Sequence, residues 1–170
     1  DRWRAAGALV VDRDLPVDGG TMTRVFDPIV ASEIWTRYGE DWRRRPEAFS
    51  RDFAAFFASR PPAARDVAEA RRALAVFQGE VARAFDGIDV IVTPTVPVTA
   101  PPVTGPIDAA LILRNTWPFN AARTPAVTVP CGTDEAGLPI GLQIAGPVGA
   151  DEMVLDAARA FADTRADGRT

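Results

Sequence analysis

Three short apolar runs in the second half of the chain place the strongest constraint on its fold. They occupy residues 88–92, 126–129 and 140–144, and together they contain a single charged residue, Asp89. Continuous apolar runs of this length are typical of strands covered on both faces, as in a sheet that lies between helices. Ten of the fifteen prolines fall within residues 88–147 and separate the runs with loops. The sequence therefore predicts the α/β class, with a partial mixed β-sheet covered by helices.

Residues 26–87 have the periodicity of helices instead. Apolar side chains recur every three or four residues from Val30 to Tyr38 and again, over a longer stretch, from Val67 to Phe85. This spacing places them on one face of a helix. Between the two patterns, the aromatic stripe at residues 49–57 is typical of core packing rather than of a ligand slot. We predict a helical cover over residues 26–87.

We predict that residues 1–170 form a single segment, and its two ends have patterns of their own. An apolar run at 8–11 predicts one buried strand, which continues as a loop through residue 25. Near the other end, Asp151 and Glu152 precede an amphipathic pattern, and acidic residues stabilise the N-terminus of a helix. We therefore expect a strand core and a terminal helix over residues 88–164, followed by a polar tail at 165–170.

The inventory of side chains excludes several kinds of chemistry within this chain. It contains no histidine, and all nineteen of its basic residues are arginine, which stays protonated and cannot act as a general base. Nucleophile systems that depend on histidine or lysine therefore cannot be built from these residues alone. Cys131 is the only cysteine, so we expect neither a disulfide nor a metal site, and no cofactor.

The same composition bears on partners and location. The net charge of −4 opposes direct nucleic-acid binding, and no apolar run is long enough to span a membrane. With one cysteine and no apolar signal segment at the start, a cytoplasmic location is expected.

Three phrases in the strand-rich half carry a family resemblance. They are DVIVTPTVP at 89–97, NAARTPAVTVPCG at 120–132 and GLPIGLQIAG at 137–146. In this order and spacing they resemble the C-terminal portion of the amidase signature hydrolases. The resemblance is good over residues 88–163 and looser over the helical stretch that precedes them. The resemblance implies the C-terminal part of that fold. It also implies an enzyme that hydrolyses a carboxamide to an acid and ammonia or an amine, without a cofactor, through a Ser-Ser-Lys mechanism.

The residues of that mechanism lie upstream of the portion that this chain resembles. Its three serines, Ser32, Ser50 and Ser59, fall in helical patterns without glycine-rich neighbours, so none is assigned a catalytic role. We expect the chain alone to be inactive. A small-molecule amide is the expected substrate, and either an upstream polypeptide with the Ser-Ser-Lys triad or self-association is expected to complete the chain.

The resemblance also implies a substrate-binding wall. The family lines the acyl side of its pocket with the segment before the NAARTPA phrase, which here contains Thr116, Trp117, Phe119 and Asn120. The loop at 93–97 is a second candidate wall, and it contributes Thr95. The aromatic pair offers apolar area and the polar residues offer hydrogen bonds. The alternative is that Trp117 and Phe119 belong to the core and that Asn120 caps a turn.

Arg123 departs from the family pattern, which has glycine at that place. Either the backbone there accepts a side chain, or the arginine points into the pocket or out to solvent, and the surface position is favoured.

Two other functions remain open. The chain is compatible with a non-catalytic module or assembly subunit derived from an amidase, and with a fragment of a transfer-RNA-dependent amidotransferase subunit.

Overall fold

The computed structural model describes residues 2–5, 7–18, 20–105 and 108–166. The chain forms two compact units, one of residues 1–16 with 78–170 and the other of residues 17–77. The described residues form the following helices: α1 Arg2–Ala5, α2 Thr21–Val25, α3 Asp27–Arg44, α4 Arg51–Ala54, α5 Ala64–Ala84, α6 Ala109–Leu113, α7 Trp117–Ala122 and α8 Asp151–Ala166. Of the tail predicted at 165–170, the first two residues continue α8, and residues 167–170 lie outside the described residues.

The smaller unit is helical and holds a cluster of aromatic side chains. Trp42 stacks on Phe57 with ring centroids 4.9 Å apart, and Trp35 meets Phe57 edge-on at 5.0 Å. Tyr38 meets Phe53 edge-on at 5.5 Å. Edge-on and offset-stacked arrangements of this kind add to the stabilisation that apolar burial provides. The aromatic stripe therefore packs against α3, but only Phe57 is buried as a core residue, and Phe56 is 48% exposed.

The larger unit contains the sheet, with β1 at Ile91–Pro94, β2 at Ala126–Thr133 and β3 at Pro139–Ala145. The strand order is β1-β3-β2, so the last strand in sequence is the central one. The α/β class and all three predicted strands are confirmed. Both pairings are antiparallel, whereas a mixed sheet was expected. The short turn between β2 and β3 explains the second pairing, because a parallel pair needs a long crossover.

The sheet has a polar face and an apolar face. Side chains alternate along each strand, and the register aligns Thr93, Gln143 and Thr128 across the three strands on the first face. Val92, Ile144 and Val127 align on the second, and Ile144 is fully buried. Burial is not confined to the second face, since Ala145 and Gln143 on the first are buried and Val92 on the second is 41% exposed.

Helix α8 packs on β2 and β3, and the approach is close where β3 ends. A Cβ built on Gly146 would lie 2.6 Å from Cγ2 of Val154, which is itself buried in α8. Glycine at this position lets the end of the strand lie against the helix without a collision.

The buried strand predicted at residues 8–11 is wrong. These residues lie in no helix and in no strand among the described residues, and Leu9 is 91% exposed. An apolar, β-branched run favours an extended backbone, yet a strand also needs a neighbour for its amide and carbonyl groups. In the described part of the chain, β1 and β2 both pair with β3 and neither pairs with residues 8–11.

Candidate functional site

The polar face of the sheet centres on Gln143, which is only 4% exposed. Its Nε2 donates to Oγ1 of Thr93 at 3.1 Å and to the carbonyl oxygen of Asn115 at 2.7 Å. The side chain of Asn115 in turn donates to the carbonyl oxygen of Pro94 at 2.8 Å. We call Thr93, Pro94, Asn115 and Gln143 the polar ring. It joins the middle strand, the end of β1 and the segment between α6 and α7.

Two threonines lie beside the polar ring on the same face. The hydroxyl groups of Thr95 and Thr128 are hydrogen-bonded at 3.2 Å, and the Thr95 amide donates to the carbonyl oxygen of Gly141 at 2.9 Å. A Cβ built on Gly141 would lie 2.8 Å from both Cγ2 of Thr128 and Oγ1 of Thr95. We call these two residues the threonine pair. Glycine is needed beneath it, because any side chain there would force the threonines away.

The five predicted wall residues occupy three different environments. Trp117 and Phe119 are buried, at 4% and 1% exposure, so their rings belong to the core of the larger unit. Asn120 is exposed on α7. Thr95 and Thr116 are half-buried, and each directly follows a residue of the polar ring, so the Asn115–Pro94 hydrogen bond links their two segments.

Arg123 ends α7 in the left-handed conformation, with φ 59° and ψ 32°. This is the only residue other than glycine with a positive φ in the part of the chain that the structure describes. The left-handed conformation at a helix end usually calls for glycine, which explains why the family has glycine here. The Arg123 side chain is exposed, as both a surface position and a place on the wall of a pocket completed by another segment would require.

Two polar side chains away from this face have structural roles. The Ser50 side chain accepts a hydrogen bond from the Phe53 amide at 3.2 Å and caps α4. Asp134 accepts hydrogen bonds in the β2–β3 turn, and its pKa is lowered, first by the Thr99 side chain and then by the Leu138 amide. Among the described residues, no group of three or more histidine, cysteine, aspartate or glutamate side chains could hold a metal ion.

Comparison with known proteins assigns the family. The Amidase family model matches residues 18–155. The chain belongs to the amidase family. A crystal structure of an amidase superposes with a TM-score of 0.83 at 24% identity, covering 94% of this chain and 38% of that one. A structure of 6-aminohexanoate cyclic dimer hydrolase superposes with a TM-score of 0.75 at 20% identity, covering 96% of this chain and 39% of the other.

The curated relatives are longer than this chain. A glutamyl-tRNA(Gln) amidotransferase subunit from Prochlorococcus marinus subsp. pastoris is 38% identical over 97 residues, which is 55% of this chain and 20% of that protein. The chain thus spans about a fifth of the length of the curated relatives that it matches. The corresponding subunit from Thermotoga maritima superposes with a TM-score of 0.54 at 27% identity, covering 84% of this chain and 32% of that one.

Sequence reasoning named Thr95 and Thr116 as wall residues but did not name Gln143, Asn115 or Thr128, which lie beside them on the polar face. A signal was present for Gln143, since it is the one side chain with a hydrogen-bonding amide inside the apolar run 140–144. A buried polar group must be hydrogen-bonded, so a lone glutamine in a core strand indicates a built network. Asn115 carries no such signal, because its partner Pro94 is distant in sequence.

Within the described residues, no helix combines the length and the apolar character that crossing a bilayer requires.

Proposed function

We propose that this chain forms part of an enzyme that hydrolyses a carboxamide to an acid and ammonia or an amine. The match of the Amidase family model to residues 18–155 carries the proposal. The chain contains neither lysine nor histidine, so the Ser-Ser-Lys residues must come from another segment or polypeptide. Residues 1–170 would act as a C-terminal segment that supplies the sheet, its helices and part of the substrate wall.

The polar face is chemically suited to a neutral amide. One hydroxyl proton of the threonine pair is used between Thr95 and Thr128, so the other can be donated to a carbonyl oxygen. The remaining lone pairs can accept from an amide N–H group. Neutral donors and acceptors cost less to desolvate than charged ones, which favours an uncharged ligand group.

The nucleophilic step itself lies outside this chain. In the family mechanism, a serine hydroxyl attacks the amide carbonyl, the C–N bond breaks with transfer of a proton to the leaving amine, and water releases the acid. Thr95, Thr116 and Thr128 would orient the carboxamide for that attack, and oriented binding lowers the barrier by removing the entropy cost at the reacting step. We assign Thr95, Thr116 and Asn120 to the accessible wall, and Trp117 and Phe119 to its support from within the core.

The test compares residues 1–170 with the complete protein, meaning the full polypeptide or complex in which they occur. Both are assayed for ammonia release from acetamide, benzamide and L-glutamine. The complete protein should release ammonia and residues 1–170 alone should not. Substitution of the family's lysine in the partner segment should abolish release by the complete protein. Turnover by residues 1–170 alone, or none by the complete protein with any carboxamide, would contradict the proposal.

A second function is favoured by the 38% identity to a glutamyl-tRNA(Gln) amidotransferase subunit. The complete protein would then hydrolyse glutamine and pass ammonia to a misacylated transfer RNA with the help of a partner polypeptide. Formation of glutaminyl-tRNA from glutamyl-tRNA, with glutamine and ATP present, distinguishes this function from simple amide hydrolysis. A non-catalytic module would bind a carboxamide without releasing ammonia in either assay. We propose a cytoplasmic location for any of these functions, which cell fractionation tests.

A further inference from the structure

We infer that Gln143 is a positioning residue, which holds the segments carrying Thr95 and Thr116 in the arrangement that a bound carboxamide meets. The inference rests on the proposed function. Its structural part, that one buried amide fixes two wall segments, can be measured without catalysis.

The side-chain amide of Gln143 holds two elements of the larger unit at once. It lies on the central strand, and its nitrogen has two N–H groups. It donates to Thr93 on β1 and to the Asn115 carbonyl between α6 and α7. Only a side chain with two donors at one nitrogen, placed on the middle strand, can fix both elements at once. Because Gln143 is buried, water is poorly placed to substitute for either bond.

The end of β1 is fixed by hydrogen bonds at Pro94 and Thr95. Pro94 has no N–H, so its carbonyl is the only backbone hydrogen-bonding group that it offers. That carbonyl accepts from the Asn115 side chain at 2.8 Å, and the next residue, Thr95, donates its amide to Gly141. The backbone carbonyl of Asn115 accepts a hydrogen bond from Gln143, and the side chain of Asn115 donates one to the carbonyl of Pro94. Gln143 therefore acts on Thr95 through Asn115, and on Thr116 through the adjacent peptide.

Removal of the Gln143 amide should have an effect on substrate binding of about one hydrogen bond. Removing the amide leaves the Asn115 carbonyl unpaired in a part-buried place, and a lost hydrogen bond of this kind changes an equilibrium by about tenfold. Because Gln143 touches the wall segments and not the reacting groups, the loss should weaken substrate binding more than the chemical step. We expect KM to rise about tenfold and kcat to change less than about threefold when chemistry is slow relative to substrate release.

The test uses the complete protein with matched variants. Gln143→Met keeps the length of the side chain and removes its donors. Gln78→Met is the control, because Gln78 also donates its amide to a backbone carbonyl, that of Ala121 at 2.8 Å, but takes no part in the polar ring. If Gln143→Met does not fold, Thr93→Val removes one acceptor of the ring with little change in shape, and Thr93→Ser should restore it.

Two measurements are made on each variant. The first is KM and kcat for acetamide, benzamide and L-glutamine. The second is hydrogen exchange at the amides of Thr95 and Thr116, which donate to Gly141 and Leu113, with the Val154 amide in α8 as an internal reference. The exchange rates of Thr95 and Thr116 should rise about tenfold in Gln143→Met with the Val154 rate unchanged. Gln78→Met should leave the exchange rates of Thr95 and Thr116 unchanged.

Each outcome decides the inference. Faster exchange at Thr95 and Thr116 together with a raised KM supports it. Faster exchange with an unchanged KM overturns it, because the ring would then be purely structural. Unchanged exchange overturns it whatever the kinetics. If the wild-type protein hydrolyses no carboxamide but the localised exchange still appears, the proposed function fails while the positioning by Gln143 stands.

Discussion

Replacing Arg123 by glycine should stabilise the larger unit. Arg123 holds φ at 59° and ψ at 32°, where the Cβ of an L-residue approaches the following carbonyl oxygen at a cost of about 1–2 kcal/mol. Glycine removes that cost but adds conformational entropy to the unfolded chain, worth about 0.5–1 kcal/mol. The difference spans about 0–1.5 kcal/mol, and its central value of about 0.75 kcal/mol corresponds to a rise in Tm of about 1.5–3 °C for a chain of this size.

The assay is urea unfolding of the wild type and of Arg123→Gly and Arg123→Ala, followed by tryptophan fluorescence and circular dichroism. The alanine variant is the matched control, since it removes the same charge and the same exposed side chain but keeps the left-handed strain. Arg123→Gly should exceed both other proteins in its free energy of unfolding. If alanine stabilises as much as glycine, the gain comes from loss of the guanidinium, and the reasoning from φ is refuted.

Three further predictions concern packing, titration and capping. Gly146→Ala would place its Cβ 2.6 Å from Val154 and should cost about 1–3 kcal/mol of unfolding free energy, and Val154→Ala in the same protein should recover part of that loss. The pKa of Asp18 is about 2, below its ordinary 3.8, chiefly because the Thr21 hydroxyl donates to it. The ionised Asp18 carboxylate therefore stabilises the folded state fully above pH 3.8, and this stabilisation is lost as pH falls through 2. We expect Asp18→Asn to be less stable than wild type at neutral pH and equally stable in strong acid. Ser50→Ala should lower the helix content and cost about 1 kcal/mol, measured by urea unfolding, whereas Ser50→Asn should not.

The elements that the sequence predicted well are those whose signals are local. Each of the three apolar runs overlaps one strand, although the run at 88–92 meets β1 only at Ile91 and Val92, and β1 and β2 alternate in burial instead of burying both faces. Residues 8–11 carry a similar local signal, yet they form no strand with the described residues. A strand is completed by a neighbour, and the identity of the neighbour is not encoded in the run itself.

The candidate site was less accessible to sequence reasoning. The family resemblance pointed to Thr95 and Thr116, but the residues that connect them come from segments far apart in the chain. Trp117 and Phe119 illustrate the opposite difficulty, since an aromatic residue in a phrase that lines a pocket can equally face inward, and both are buried here. At Arg123 the backbone has the left-handed conformation that glycine adopts most easily. This sequence has arginine there, so its sequence alone does not predict that conformation.

The position of β3 has a consequence for how the protein folds during synthesis. Strands β1 and β2 leave the ribosome before β3, and among the described strands each pairs with β3 alone. Within this sheet, β2 begins to pair only when residue 139 has emerged and β1 only when residues 142–145 have, so both wait in the nascent chain for β3. Such segments are where newly made chains aggregate or bind chaperones. Slower translation before β3 would lengthen that exposure, while codons that speed residues 134–145 would shorten it.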